Sequence, residues 1–186
     1  MKIYITRHGQ VAPVEFYDNV QFPSGDPPLT NIGRKQAQYL ANYMKSIDFK
    51  GEIYSSPYAR ALETSEIIAE TTNSKIIPWA PMREIMKTDE AAESFNGLTI
   101  EEIKHRYTHI SKDTFLVYPW WSHAKESRED VFNRINIGFK ELTPQSDVMF
   151  VGHGASAMLM IEYLNIPQRH GDMYNCCLSM YNTENK

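Results

Sequence analysis

Residues 2–9 read Lys2-Ile3-Tyr4-Ile5-Thr6-Arg7-His8-Gly9, and the rest of the chain is organised around this stretch. The part from Lys2 to Thr6 is rich in β-branched and aromatic residues, which predicts a strand. That strand delivers an arginine and a histidine side by side into a glycine. There we expect the backbone to bend sharply, at a point where a side chain would obstruct a ligand. A fixed guanidinium beside a neutral imidazole suits the capture and attack of a phosphoryl group.

Strand-like and helix-like segments alternate along the chain. Further strands are predicted at Glu52–Ser55, Lys75–Pro78, Asp147–Val151 and Cys176–Tyr181, and helices at 30–46, 57–72, 99–107, 126–142 and 155–164. Thr30 and Ser56 are placed to cap the first two helices. Such alternation predicts an α/β fold, which we expect to be a three-layer α/β/α sandwich with a mainly parallel central sheet.

The size of the chain bounds its domain organisation. Its 186 residues suit one domain, and 42% hydrophobic with 23% charged residues is an ordinary globular balance. We interpret residues 1–186 as a single domain with an insertion at 79–125, where the periodicity is loose and prolines interrupt it. The insertion is predicted to act as a lid over a site. Within it, Trp120-Trp121 either packs the insertion or lines the substrate side.

Charge and cysteine content exclude several classes of partner. A net charge of -4 and a pI near 5.9 argue against a nucleic-acid partner. No apolar run reaches the length of a membrane span, and Arg7 interrupts the first apolar run before it could serve as a signal peptide.

The adjacent Cys176 and Cys177 suit neither a disulfide nor a zinc site, so we expect buried thiols in a late strand. These features predict a cytoplasmic protein.

Two further strand ends carry chemically useful side chains. The predicted strand Asp147–Val151 runs into Gly152-His153-Gly154, and Glu52–Ser55 leads to Arg60 in the first turn of the next helix. In α/β sheets, ligands bind beyond the carboxyl ends of the strands. If the strands are neighbours, one cavity is lined by Arg7, His8, Arg60 and His153. Several cations without a counter-charge are costly, and a bound anion removes that cost.

Several short motifs follow one another in a fixed order along nearly the whole chain. They are Arg7-His8-Gly9, PLTNIGRKQA at 28–37, SSPYARALET at 55–64, Arg83-Glu84, FNGLT at 95–99, Glu126-Ser127 and Gly152-His153-Gly154. In this order and at this spacing they resemble the histidine phosphatase superfamily, branch 1, whose members include phosphoglycerate mutase-like enzymes. The resemblance implies a phosphoglycerate mutase-like fold.

The resemblance also implies roles for the phosphate-binding residues. His8 would attack phosphorus and carry a covalent phosphohistidine, splitting one difficult displacement into two easier steps. Arg7, Arg60 and a protonated His153 would hold the phosphate oxygens. Gly154 and Gln10 complete the predicted phosphate site. No metal or other cofactor is implied, because the cations are already side chains.

Glu84 is the predicted general acid, which would protonate the leaving oxygen and later deprotonate the attacking water. The following segment is acidic, so Asp89, Glu90 and Glu93 stay open as alternatives. The remaining histidines, His105, His109, His123 and His170, are predicted to be structural or surface residues.

Departures from the family pattern favour a phosphatase over a mutase. Val11 and Val14 stand where many relatives place a threonine and an asparagine that contacts phosphate, and the insertion lacks a basic cluster for a second phosphate. We therefore predict a phosphomonoester hydrolase that acts on a small phosphorylated metabolite and releases phosphate. The alternatives are a phosphoglycerate-type phosphomutase and a phosphoprotein phosphatase, including one for phosphohistidine.

Overall fold

The computed structural model describes residues 1–12, 25–112, 114, 116–167 and 173–184. Val14 and His170 lie outside these residues. The strands are β1 (Lys2–Arg7), β2 (Glu52–Ser55), β3 (Ile76–Pro78), β4 (Val148–Gly152) and β5 (Leu178–Asn182). The helices are α1 (Asn31–Ser46), α2 (Ala59–Thr72), α3 (Asp89–Ser94), α4 (Ile100–Arg106), α5 (Arg128–Lys140) and α6 (Gly154–Tyr163), with a 3₁₀ turn at Ala80–Met82.

The strands form one five-stranded sheet in the order β3-β2-β4-β1-β5. β2 is parallel to β3 and to β4, and β4 is parallel to β1, whereas the edge strand β5 is antiparallel to β1. β4 is buried along its whole length, as its continuous apolar sequence leads one to expect of a central parallel strand. The predicted α/β fold with a mainly parallel sheet is confirmed.

Side chains alternate between the two faces of the sheet, and helices cover both faces. Tyr4 and Met149 pack on one side with buried residues of α1 and α2. Ile3, Ile5 and Phe150 pack on the other side with buried residues of α5 and α6. This alternation follows from the two-residue period of a strand and produces three layers.

The first two helices begin differently from one another. Thr30 caps α1 as predicted, accepting a hydrogen bond from the Gly33 N–H. The prediction that Ser56 caps the second helix is wrong, because α2 begins only at Ala59. The Ser56 N–H donates instead to the Val151 carbonyl at 2.8 Å, which continues the pairing of β2 with β4.

The prediction for the cysteines is also wrong. β5 begins at Leu178, and Cys176 lies in the preceding turn with φ 55°, while Cys177 is exposed. The Cys176 N–H donates to the Arg7 carbonyl at 2.9 Å, so this turn is tied to the end of β1. The pairing of β5 with β1 therefore begins at Leu178, two residues later than the apolar pattern predicts.

The segment 79–125 is attached to the sheet and to α2. The Ile76 N–H donates to the His109 carbonyl and the Ser111 N–H donates to the Ile76 carbonyl, so the segment extends the β3 edge. Trp120 and Trp121 are buried, and the Trp120 Nε1–H donates to the Leu98 carbonyl at 2.8 Å. The structure thus places both tryptophans in the packing of the segment. Its interpretation as a lid stays a prediction.

One helix in this segment escaped the sequence analysis. α3 is six residues long and is capped by Thr88, whose side chain accepts from the Ala91 N–H. Asp89 and Glu90 lie in its first turn, where carboxylates interact favourably with the helix dipole. Among the described residues, no helix combines the length and apolar character needed to cross a bilayer.

Candidate active site

The ends of β1, β4 and β2 lie side by side. Arg7 pairs with Gly152, and Ser55 pairs with Val151, so the carboxyl ends of these strands are level. The condition that the sequence analysis set for the convergence of its candidate residues is therefore met. The site forms where each strand ends and the chain turns towards the next helix.

His8 is buried and held in one orientation. It is 3% exposed, and its Nδ1 lies 2.7 Å from the Gly9 carbonyl oxygen. A carbonyl can only accept, so Nδ1 carries the proton and the lone pair lies on Nε2. Burial, followed by the Arg60 and Arg7 charges, lowers the pKa of His8 to about 3. The ring is therefore neutral near neutral pH, with the lone pair on Nε2.

Gly9 serves close packing against the backbone of α1. A Cβ at Gly9 would lie 2.5 Å from the Gly33 carbonyl oxygen, and a Cβ at Gly33 would lie 2.1 Å from the Gln10 carbonyl oxygen. The two glycines allow the end of β1 and the start of α1 to touch through their backbones. This corrects the expectation that Gly9 clears space for a ligand.

His153 lies beside His8, with ring centroids 5.1 Å apart. Its Nε2 is hydrogen-bonded to the Ser56 hydroxyl at 2.8 Å, and its Nδ1 is buried without a hydrogen-bond partner among the described residues. Burial, followed by the Arg60 charge, lowers the pKa of His153 well below its usual value. These effects favour the neutral ring, and the protonated His153 that would hold phosphate oxygens stays a prediction.

Arg60 has a protein counter-charge that the sequence analysis missed. Its Nη1 lies 3.0 Å from Asp26 Oδ1, and both side chains are buried. Asp26 also accepts the Ala59 N–H at 2.5 Å, which ties it to the start of α2. The guanidinium is stacked 4.4 Å from the centroid of the Tyr58 ring. Asp26 was visible in the sequence only as a turn residue between Gly25 and Pro27, and no local signal marked it as a partner of Arg60.

Arg7 has an unpaired donor at the same edge of the sheet. Its Nη1 donates to the Met173 carbonyl at 3.0 Å, while its Nε is buried with no hydrogen-bond partner among the described residues. A Cβ at Gly154 would lie 3.9 Å from the Arg7 guanidinium carbon, so the start of α6 adjoins this side chain. Buried unpaired donors are costly unless a ligand satisfies them.

Gln10 is turned towards α1. Its amide oxygen accepts from the Thr30 hydroxyl at 2.8 Å, and its N–H donates to the Gln36 amide oxygen at 2.8 Å. The structure thus ties Gln10 to the cap of α1, and its part in the phosphate site stays a prediction.

Glu84 is the predicted acid that contacts a site histidine. Its Oε2 lies 3.6 Å from His153 Nδ1, and its side chain is 27% exposed, so solvent reaches it. Asp89 accepts the Lys125 N–H at 2.8 Å and, like Glu90 and Glu93, lies exposed on α3. Among the described residues, no group of three or more His, Cys, Asp or Glu side chains is arranged to hold a metal ion.

The sequence profile of the histidine phosphatase superfamily, branch 1, matches residues 3–186. The chain belongs to this superfamily. One relative is a Caenorhabditis elegans 6-phosphofructo-2-kinase/fructose-2,6-bisphosphatase, 30% identical over 163 residues, which cover 87% of this chain and 33% of that protein. This chain thus spans about a third of the length of that relative. A probable phosphoglycerate mutase GpmB of Escherichia coli O1:K1 is 27% identical over 96% of this chain and 83% of its own length.

Solved structures of the same fold were also found. The ecdysone phosphate phosphatase from Bombix mori, crystallised with tungstate, has a TM-score of 0.75 at 18% identity over 98% of this chain and 89% of its own. A mycobacterial glucosyl-3-phosphoglycerate phosphatase with inorganic phosphate has a TM-score of 0.62 at 24% identity over 96% of this chain and 88% of its own. At these identities the likeness concerns the fold. The named members of the superfamily found here are phosphatases and mutases.

Proposed function

We propose that the protein is a phosphomonoester hydrolase that works through a phosphohistidine at His8 and acts on a small phosphorylated metabolite. One observation carries the proposal. A neutral, oriented His8 ring lies in a buried site with Arg7, Arg60 and His153, and Arg7 Nε is a buried donor with no hydrogen-bond partner among the described residues. A phosphate group supplies an acceptor for Arg7 Nε and a negative charge next to the Arg7 guanidinium.

In the first step, the lone pair on His8 Nε2 forms a bond to phosphorus as the bond from phosphorus to the leaving oxygen breaks. The electron pair of the broken bond goes to the leaving oxygen, which takes a proton from Glu84 and departs as an alcohol. Arg7, Arg60 and His153 stabilise the charge on the phosphoryl oxygens during this transfer.

In the second step, Glu84 removes a proton from a water molecule, whose oxygen forms a bond to phosphorus. The bond between phosphorus and His8 Nε2 breaks, and its electron pair returns to the imidazole. Phosphate leaves, Glu84 is again protonated, and the sum of the steps is hydrolysis of one monoester by one water. The exposure of Glu84 supports this assignment, because both the leaving alcohol and the water must reach it.

A phosphoglycerate-type mutase is the second candidate, supported by the 27% identity to a probable phosphoglycerate mutase over most of its length. A mutase must retain the phosphoryl group and return it to another oxygen of the same substrate. Net release of phosphate without a bisphosphate activator distinguishes the hydrolase from the mutase, in which phosphoglycerate isomers would interconvert instead.

His8→Ala is expected to lower phosphate release from p-nitrophenyl phosphate by roughly a thousandfold or more, because the nucleophile is gone. The same variant should no longer trap labelled phosphate when the reaction is quenched in alkali, in which phosphohistidine survives. His105→Ala, which changes an exposed histidine of α4, is the matched control and should behave as the wild type. Substantial turnover or trapping in His8→Ala would refute the proposed nucleophile.

A further inference from the structure

A buried ion cluster next to the candidate site is left unused by the proposed chemistry. Glu126 precedes α5, and its side chain is only 6% exposed. Its Oε1 accepts from Arg83 Nη2 at 2.6 Å and from Arg134 Nε at 3.1 Å. Its Oε2 accepts from the Met86 N–H at 3.2 Å, and its own N–H donates to the Met86 carbonyl at 2.8 Å. One carboxylate thus joins two guanidiniums and a stretch of backbone.

Arg134, on α5, contacts the same backbone stretch. Its Nη2 donates to the Arg83 carbonyl at 2.9 Å, and its Nη1 donates to the Pro81 carbonyl. Its side chain is 12% exposed, and burial lowers its pKa to about 10, so it stays charged at neutral pH. The forked guanidinium can reach a carboxylate and two carbonyls at once, which a lysine ammonium cannot do.

These contacts fall on both sides of Glu84. Pro81 and Arg83 are held before it and Met86 after it, while the Ser156 hydroxyl donates to the Met82 carbonyl at 3.0 Å. The carboxylate of Glu84 itself accepts only one backbone bond among the described residues, from the Ile85 N–H at 3.0 Å. The backbone that carries this carboxylate to His153 is therefore held on both sides, by Glu126 and Arg134 and by Ser156 of α6.

The cluster is poorly explained as a source of stability. Burying three charged side chains costs desolvation energy, and apolar packing of the same volume often stabilises a protein as well or better. Its geometric effect is specific, because it fixes the segment that carries Glu84 next to His153. Proton transfer needs the acid within hydrogen-bond reach of the reacting oxygen, and a misplacement of about 1 Å can cost roughly a hundredfold in rate.

We propose that Arg134 and Glu126 are positioning residues that hold Glu84 where it can protonate the leaving group. This inference rests on the proposed function, in which Glu84 is the general acid. It predicts that disturbing the cluster harms only the part of the reaction that needs the acid. Leaving groups that depart without protonation, such as p-nitrophenolate, need it least.

The test is Arg134→Lys, which keeps the charge and removes the fork. We expect kcat/KM for an alkyl phosphate to fall roughly tenfold to a hundredfold. For p-nitrophenyl phosphate it should fall less than about threefold. Glu84→Gln should show the same dependence on the leaving group. Adding Arg134→Lys to Glu84→Gln should not lower kcat/KM for the alkyl phosphate further, because the acid that Arg134 positions is already absent.

Arg128→Lys is the control on the same helix. Arg128 is exposed and pairs with the exposed Glu162, so its change should leave both substrates unaffected. Glu126→Gln is a second variant, and it should lower kcat/KM selectively for the alkyl phosphate as Arg134→Lys does. It replaces Arg134→Lys in the test if Arg134→Lys does not fold.

The inference is overturned if Arg134→Lys lowers kcat/KM equally for the alkyl phosphate and p-nitrophenyl phosphate. It is also overturned if adding Arg134→Lys to Glu84→Gln lowers kcat/KM for the alkyl phosphate further. The inference is also overturned if neither Arg134→Lys nor Glu126→Gln folds, because the cluster would then be needed for folding of the whole chain. If the wild type releases no phosphate and forms no phosphohistidine, the proposed function itself fails, an outcome distinct from all of these.

Discussion

At the scale of single residues, Asp26 and Arg60 form a buried ion pair. Their side chains are 1% and 9% exposed and 3.0 Å apart, so each is the other's partner in a medium that solvates charge poorly. Burial raises the pKa of Asp26, and the Arg60 charge opposes that effect. The guanidinium is thereby fixed at the start of α2 before any ligand arrives, so it needs no reorganisation to meet an anion.

Asp26→Asn should leave the Arg60 charge buried without its partner and lower the free energy of unfolding by about 3 kcal/mol. A bound phosphate would replace the missing negative charge, so added phosphate should stabilise this variant more than it stabilises the wild type. Urea unfolding with and without phosphate measures both effects. Asp48→Asn, which breaks an exposed pair with Lys50, is the control and should change little. An equal phosphate effect in the variant and the wild type would contradict this account.

At the scale of elements, the junction of β1 with α1 decides where His8 is placed. The Thr30 N–H donates to the Gln10 carbonyl at 2.9 Å, and the Gly9 N–H donates to the Thr64 hydroxyl at 3.1 Å. α1 and α2 thus both hold the backbone just after His8. The close approach of Gly9 and Gly33 is what lets the two backbones meet.

Gly33→Ala tests this junction because two effects oppose each other. Helix propensity alone predicts a higher free energy of unfolding, whereas the close contact predicts a lower one. An alanine inside a helix normally stabilises it by about 1 kcal/mol relative to glycine. Here the new Cβ would lie 2.1 Å from a backbone oxygen. We expect a net destabilisation of about 2 kcal/mol in denaturant unfolding, with a lower rate of the proposed phosphatase reaction, because the backbone must move. Lys35→Ala on the exposed side of α1 should be neutral or stabilising, and a stabilised Gly33→Ala would disprove the close contact.

At the scale of the whole molecule, two histidines lie buried and neutral where the central strands meet. The folded-state pKa of His8 is lowered from 6.5 to about 3, whereas the unfolded chain takes up a proton near 6.5. Below that pH the unfolded state binds more protons than the folded state. The stability that depends on a neutral His8 is therefore complete above pH 6.5 and is lost progressively as the pH falls towards 3. His153 acts in the same direction.

Between pH 7 and pH 5 we expect His8 alone to lower the free energy of unfolding by about 2 kcal/mol. His8→Asn removes the titrating group, so its stability should fall less over the same interval. The measurement is urea unfolding at both pH values, with the exposed His105→Asn as the control. An unchanged pH dependence in His8→Asn would show that His8 does not carry this effect.

Much of the fold could be predicted from the sequence because its signals are local. The β-branched and aromatic residues of β1, the apolar sequence of β4 and the Thr30 cap of α1 are each features of residues close together in the chain. Each of these predictions is confirmed. α3 was missed because a helix of six residues is too short to show a period. The start of β5 was misplaced because Cys176 adopts a positive φ for a tertiary reason, its bond to the Arg7 carbonyl.

The sequence by itself determined the superfamily, the alternation of strands with the longer helices, and the position of Arg7, His8 and His153 at strand ends. The tertiary structure made those strands neighbours and so brought the three side chains to one edge of the sheet. The tertiary structure alone decided which partners hold the site: Asp26 for Arg60, Ser56 for His153, and Glu126 with Arg134 for the segment of Glu84. The physical reason is how far apart along the chain the contacting residues lie. Secondary structure and motifs arise from contacts between near neighbours in the chain, whereas Ser56 and His153 are 97 residues apart. Such pairs exist only once the sheet and its helices have packed.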